Sequence, residues 1–201
     1  IEDTVSLPEA TRKQAGIIRR YSEKLKNLVA DLNLTTKLEY SIQPLQKQKI
    51  DPVELARQVV SEVLNDGISE LYELELSEDN PGKNLSLVGD QALLSRMLNN
   101  LIRNCIVHNP DGCTIQVSVG SCDAMCTFSV TDNGYGISEP QLNALNSGKD
   151  ISSTQKQTGE TEHGLGLKIV MQIVKAHQGI IQFADTIPHG LSIHISLPMK
   201  L

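Results

Sequence analysis

Thr131-Asp132-Asn133-Gly134-Tyr135-Gly136-Ile137 follows directly on Met125 to Val130, a run whose alternation reads as a strand. Asp132 would end that strand, and Gly134 and Gly136 would let the backbone turn sharply and approach a ligand closely. A carboxylate at a strand end is well placed to accept from an amino group such as that of adenine. A plain Asp-Asn-Gly turn is the competing reading of the same residues.

Upstream, Thr114 to Val119 supplies the other arm of a hairpin, and before it Asp90 caps a helix running to about His108. Leu93, Leu94, Met97, Leu98, Leu101 and Ile102 make the buried face of that helix, while Asn100 and Asn104 fall four apart on one side. Asparagine is a poor helix former and costly to bury unpaired. Two amides so placed suit a hydrated metal or a ligand that satisfies them, and two solvent-facing amides on a wet helix are the alternative. Downstream come a short helix near Glu139 to Leu145 and a polar stretch from Asn146 to His163. Then Glu162-His163-Gly164-Leu165-Gly166-Leu167-Lys168 opens a helix ending near His177. Backbone N–H groups at a glycine-rich helix start form an anion site. The stretch is not a Walker loop, lacking the closing Gly-Lys-Ser/Thr. Nor is it a dinucleotide fingerprint, because it follows a polar loop and not a first strand.

Around these segments, Asp51-Pro52 opens a helix to about Asn65, with Asp as cap and Pro at the first position. Leu71 to Leu76, Leu85 to Val88, Ile180 to Ala184 and Leu191 to Leu197 read as further strands, and Gly179 as a helix C-cap. Helices and strands interleave without repeated βαβ units, so the expected fold is α+β, a two-layer α/β sandwich with a mixed sheet covered on one face by helices. In front of it, Leu7 to Tyr40 predicts one long helix with Ile18, Tyr21, Leu25, Leu28 and Leu32 on a heptad stripe. That stripe wants a partner: either its own domain or the other half of a dimerising hairpin. Ser41 to Ile50 reads as a linker, dividing the chain into residues 1–43 and 44–201.

The 201 residues are 39% hydrophobic and 21% charged, which is ordinary for a globular chain. A net charge of -6 and 3% aromatic residues argue against a nucleic-acid partner, which needs clustered Lys and Arg or stacking rings. No apolar run reaches the roughly 18 residues of a membrane span. The chain opens on Ile1 and not Met, which suggests a piece of a longer polypeptide whose other segments would hold any membrane anchor. Cys105, Cys113, Cys122 and Cys126 form no CxxC pair and read as free thiols of a cytosolic protein, with a strained local disulfide between Cys122 and Cys126 as the alternative.

In order and spacing, Asn100-x-x-x-Asn104 on a helix, a strand ending in Asp132-x-Gly134-x-Gly136-Ile137, a polar stretch, and Gly164-Leu165-Gly166-Leu167 opening a helix resemble the N, G1 and G2 boxes of sensor histidine kinases. Those kinases share an ATP-binding (Bergerat-type) fold with gyrase, the heat-shock chaperone ATPase and the mismatch-repair ATPases. The resemblance extends over residues 44–201, including the closing Gly190 to Pro198 strand, and the heptad helix looks like the second helix of the family's dimerisation and histidine-phosphotransfer hairpin.

By that resemblance the ligands are ATP and Mg²⁺. Asn104 would coordinate the metal on the phosphates with Asn100 assisting, and Asp132 would accept from the adenine amino group. Gly134, Gly136 and Ile137 would shape the pocket, and Gly164, Leu165, Gly166, Leu167 and Lys168 would fold over the phosphates. Hydrolysing relatives carry a Glu one turn before the metal Asn to activate water; Asn100 stands there and cannot act as a base. The resemblance therefore implies phosphoryl transfer, with full-length homodimers, a phosphoacceptor His on an upstream helix of the same protein or its dimer mate, and a response regulator receiver domain as partners. His108, His163, His177, His189 and His194 all fall within residues 44–201, none in the heptad helix, and His177, His189 and His194 read as scaffold. The implied setting is the cytoplasmic part of a membrane-anchored sensor. The family's Lys and aromatic after the metal Asn are Val107 and His108 here, which leaves Lys168, Lys149, Lys156 or Arg103 to supply phosphate charge. Glu162 stands at the first Gly of the last box. These departures make a degenerate nucleotide-binding regulatory module the alternative, with a serine kinase of the anti-sigma type a third.

Overall fold

The structure, a computed structural model, describes residues 9–40, 44–79, 84–147 and 163–200. The polar stretch before the last helix, with Lys149, Lys156 and Glu162, lies outside them, as does Pro8. In chain order the elements are α1 (Glu9–Glu39), β1 (Gln48–Ile50), α2 (Pro52–Asn65), β2 (Tyr72–Glu78), β3 (Leu87–Gly89) and α3 (Gln91–His108). Then follow β4 (Cys113–Cys122), β5 (Met125–Asp132), α4 (Glu139–Asn146), α5 (His163–Ala176), β6 (Ile180–Asp185) and β7 (Leu191–Pro198).

The sheet is mixed, in the order β2-β4-β5-β7-β6, with β2 parallel to β4 and every other pairing antiparallel. Its inner face is set by simple alternation. Ile115, Val117 and Val119 of β4, Cys126, Phe128 and Val130 of β5, and Ile193, Ile195 and Leu197 of β7 are all buried. Against them lie the apolar stripes of α2 (Leu55, Ala56, Val59, Val63), α3 (Leu94, Met97, Leu98, Leu101, Ile102) and α5 (Ile169, Val170, Ile173). This is the expected α+β sandwich with helices over one face.

The helix starts are those the sequence announces. Asp51 accepts from the Val53 and Glu54 amides at 3.0 and 3.1 Å with Pro52 in the first turn of α2, and Asp90 Oδ1 accepts from the Leu93 amide at 3.2 Å.

Two local expectations need correction. The supposed linker 41–50 ends in β1, whose Gln48, Lys49 and Ile50 pair antiparallel with Gly89, Val88 and Leu87 in a separate two-stranded sheet. Three residues with one buried side chain carry too little pattern to distinguish a strand from a linker. The left-handed position after α5 is filled by Gln178 (φ 55°), and not by Gly179. Gly179 closes the turn by donating to the Val174 carbonyl at 2.9 Å, and it is glycine for space, since a Cβ would meet Leu197 at 2.4 Å.

The heptad stripe of α1 is not covered by the sandwich: Ile18, Tyr21, Leu25 and Leu32 are each at least 60% exposed. The C-terminal part of the helix is the part that docks, through buried Thr35 and partly buried Leu34 and Leu38, and through an ion pair between Asp31 and Arg96 of α3. Among the described residues no helix is long and apolar enough to cross a membrane, and Cys105, Cys113, Cys122 and Cys126 are free.

Candidate functional site

Asp132 occupies the last inward position of β5, where the alternation Cys126, Phe128, Val130 would otherwise place a fourth apolar residue. A carboxylate 6% exposed on the core face of a sheet needs partners. Its Oδ1 accepts the Gly134 amide at 2.9 Å, and the Cys105 thiol of α3 is near enough to feel its charge. Burial, then the neighbouring Asp132 charge, pushes the Cys105 thiol well up, and the same two causes raise Cys113, so both are protonated thiols at neutral pH.

The residues after Asp132 are pinned on all sides. Gly136 takes a positive φ of 68° and sits against Gly190, 3.0 Å from its carbonyl oxygen to an added Cβ. Gly190, at φ 130°, faces the Asp132 carbonyl so closely that a Cβ would fall 2.0 Å from it. Ile137 packs against the core, half-buried.

One residue earlier than Cys105 on α3 stands Asn104, with Asn100 one turn before. Both amides face α5, which lies beside α3: a Cβ on Gly166 would come 3.3 Å from Asn104 Oδ1 and 3.9 Å from Asn100 Oδ1. The helix starts at His163, so Gly164, Leu165, Gly166, Leu167 and Lys168 all belong to its first two turns. Leu165 and Leu167 pack on the core and Lys168 is exposed.

Asn100 Nδ2 is buried and has no hydrogen-bond partner among the described residues, the only such side-chain atom there. An orphaned donor beside a glycine-rich helix start fits a ligand with acceptor oxygens, as a phosphate group has.

Of the charges considered for the phosphate side, Arg103 is turned away. Its guanidinium bonds Asp66 at 2.9 Å and Asn99 at 2.7 Å. Lys168 is the remaining candidate among the described residues. His177, expected to be scaffold, is buried: its Nε2 accepts the Asp90 amide at 3.0 Å and Nδ1 contacts the Ile173 carbonyl at 2.8 Å.

Asn109 is the residue that sequence reasoning missed. It is 3% exposed, its Nδ2 donates to the Cys105 carbonyl at 2.8 Å, and its Oδ1 accepts the Tyr135 amide at 2.9 Å. Only its place between a helix end and Pro110 marks it in the sequence.

The family described as histidine kinase-, DNA gyrase B-, and HSP90-like ATPase matches residues 89–201, more than half of the chain and the whole of this site. The chain belongs to that family. Within this ATPase family it is similar to sensor histidine kinase YvrG of Bacillus subtilis, 29% identical over 175 residues that make 87% of this chain and 30% of that protein. Probable sensor histidine kinase TcrY of Mycobacterium tuberculosis is 29% identical over 194 residues, 96% of this chain and 39% of that protein. The chain thus spans about a third of the length of these curated relatives. Its fold matches that of ShkA solved full-length in complex with AMPPNP, with a TM-score of 0.76 at 20% identity over 98% of this chain and 40% of that one. It also matches the Acinetobacter baumannii histidine kinase AdeS, with a TM-score of 0.72 at 19% identity over 98% and 88%. The domain is therefore of the ATP-binding catalytic type found in sensor histidine kinases, as the three boxes imply.

Proposed function

We propose that this domain binds Mg-ATP between α3, the Asp132 loop and α5, and passes the γ-phosphoryl to a histidine on a helix upstream of α1, for relay to an aspartate of a response regulator. The observation that carries the reading is the facing of Asn100 and Asn104 by Gly166, with Asn100 Nδ2 left unpartnered among the described residues. In this reading Asp132 accepts from the adenine amino group, with Gly134, Gly136 and Ile137 shaping the pocket. The two Asn amides face the phosphates, Asn104 as metal ligand, and the first turns of α5 supply backbone N–H groups and Lys168. Mg²⁺, when bound, would neutralise charge on the phosphate oxygens. What remains for the chain is positioning and water control, which is most of what phosphoryl transfer requires.

The absence of a base favours transfer over hydrolysis. Asn100 stands where hydrolysing relatives hold a Glu, and an amide cannot take a proton from water. In this reading the acceptor comes from elsewhere: α1, which would be the second helix of the hairpin, contains no histidine, and His177 is held in the core at neutral charge. The exposed stripe Ile18, Leu25 and Leu32 fits the second helix of a dimerising four-helix core. The setting is the cytoplasmic side of a membrane-anchored sensor.

The test is incubation with γ-labelled Mg-ATP, with and without a separately supplied helical hairpin bearing the acceptor histidine. Label on the hairpin with little free phosphate supports transfer. ATP binding without label transfer leaves the degenerate regulatory module, which the exchange of Lys and an aromatic for Val107 and His108 favours.

A further inference from the structure

We propose that Asn109 is a positioning residue for nucleotide binding, holding the loop after Asp132 in register with the helix that carries Asn100 and Asn104. The inference rests on the nucleotide reading above. Asn109 sits just past α3, and one side chain spans two elements: Nδ2 donates to the Cys105 carbonyl at 2.8 Å, next in sequence to Asn104, and Oδ1 accepts the Tyr135 amide at 2.9 Å. Its own carbonyl is held by the Gly112 amide at 2.9 Å and the Tyr72 hydroxyl at 3.0 Å, so the bridge stands on β2 as well.

The loop is seated directly on this amide. A Cβ at Gly134 would lie 1.8 Å from Asn109 Oδ1 and 2.1 Å from its Cγ, and Gly134 has no positive φ to require glycine for conformation. Space taken by Asn109 is thus what makes position 134 glycine. Gly134 in turn donates to Asp132 Oδ1 at 2.9 Å. The chain of contacts runs Cys105 carbonyl, Asn109, Gly134 and Tyr135, Asp132. Removing the Asn109 amide releases the group that orients the carboxylate, while α3 keeps Asn100 and Asn104 where they are.

A merely structural Asn109 would weaken every ligand alike. The experiment is calorimetric titration of the full chain with ATP and with ITP, whose 6-oxo group replaces the amino group, each with and without Mg²⁺. Wild type should prefer ATP. Asn109→Ala should lose about tenfold in ATP affinity, the weight of one or two hydrogen bonds, and most of the preference over ITP, yet keep the Mg²⁺ dependence. Gly134→Ala should act in the same way, and in the Asn109→Ala background it should add little further loss, because the space is vacated. If Asn109→Ala is too unstable to titrate, Gly134→Ala carries the prediction from the loop side. Preserved ATP preference in both variants, equal loss of the Mg²⁺ dependence, or fully additive losses would overturn the inference. Wild type that ignores ATP would instead overturn the nucleotide reading itself.

Discussion

Asn100 holds a donor that the fold does not use: its Nδ2 is buried without a partner among the described residues. Such a group costs stability when it is left without an acceptor, and a ligand oxygen would supply one. Asn100→Ala should therefore leave the denaturant midpoint unchanged or raised while ATP affinity falls about tenfold; urea titration and calorimetry on the same variant check both. His177 makes the opposite kind of residue, fully used by the fold. Burial lowers its pKa from the usual 6.5, with Lys47 adding to the effect and the Ile173 carbonyl and Asp90 opposing it. A depressed folded value means that the unfolded chain binds the proton first, so the stabilisation is full above about pH 6.5 and is lost as pH falls towards and through the folded value. Unfolding midpoints should drop between pH 7.5 and 5.5 in wild type, and less steeply in His177→Asn. That His177 belongs to the scaffold was legible from its place at the end of an apolar helix; that it accepts the Asp90 amide was not, because 87 residues separate them.

The elements were readable where period and caps agree. Asp51-Pro52 and Asp90 set the starts of α2 and α3, and the alternation of Met125 to Asp132 set both the strand and the inward direction of its final carboxylate. β1 escaped because three residues cannot display a period, and the cap at Gln178 because a left-handed turn tolerates a non-glycine when the next residue supplies the space. The candidate site was legible as three segments, but not as one constellation. Asn109 joins α3 to the loop after Asp132 through contacts that no spacing reveals. At this scale the facing of α3 and α5 gives a prediction. A methyl at Gly166 would press on Asn104 Oδ1 from 3.3 Å, so Gly166→Ala should retain the fold, with a circular-dichroism melt shifted by only a few degrees. ATP binding should weaken at least severalfold while the preference over ITP survives, because the adenine side is untouched.

For the molecule as a whole, α1 is a lever only partly joined to the sandwich. Its docking end carries the half-buried Asp31–Arg96 pair, while Ile18 and Leu25 stand exposed beyond it. A partly exposed ion pair contributes about 1 kcal/mol or less, so Arg96→Ala should barely alter the domain's unfolding midpoint but should speed amide exchange around residues 28–38. Whether the three segments form one Mg-ATP site is decided by calorimetric titration of ATP, with and without Mg²⁺, into wild type, Asp132→Asn and Asn104→Ala. Wild type should bind in a Mg²⁺-dependent way, Asp132→Asn should lose affinity, and Asn104→Ala should keep residual binding without Mg²⁺ dependence. Binding that is indifferent to both substitutions, or no binding by wild type, would contradict such a site.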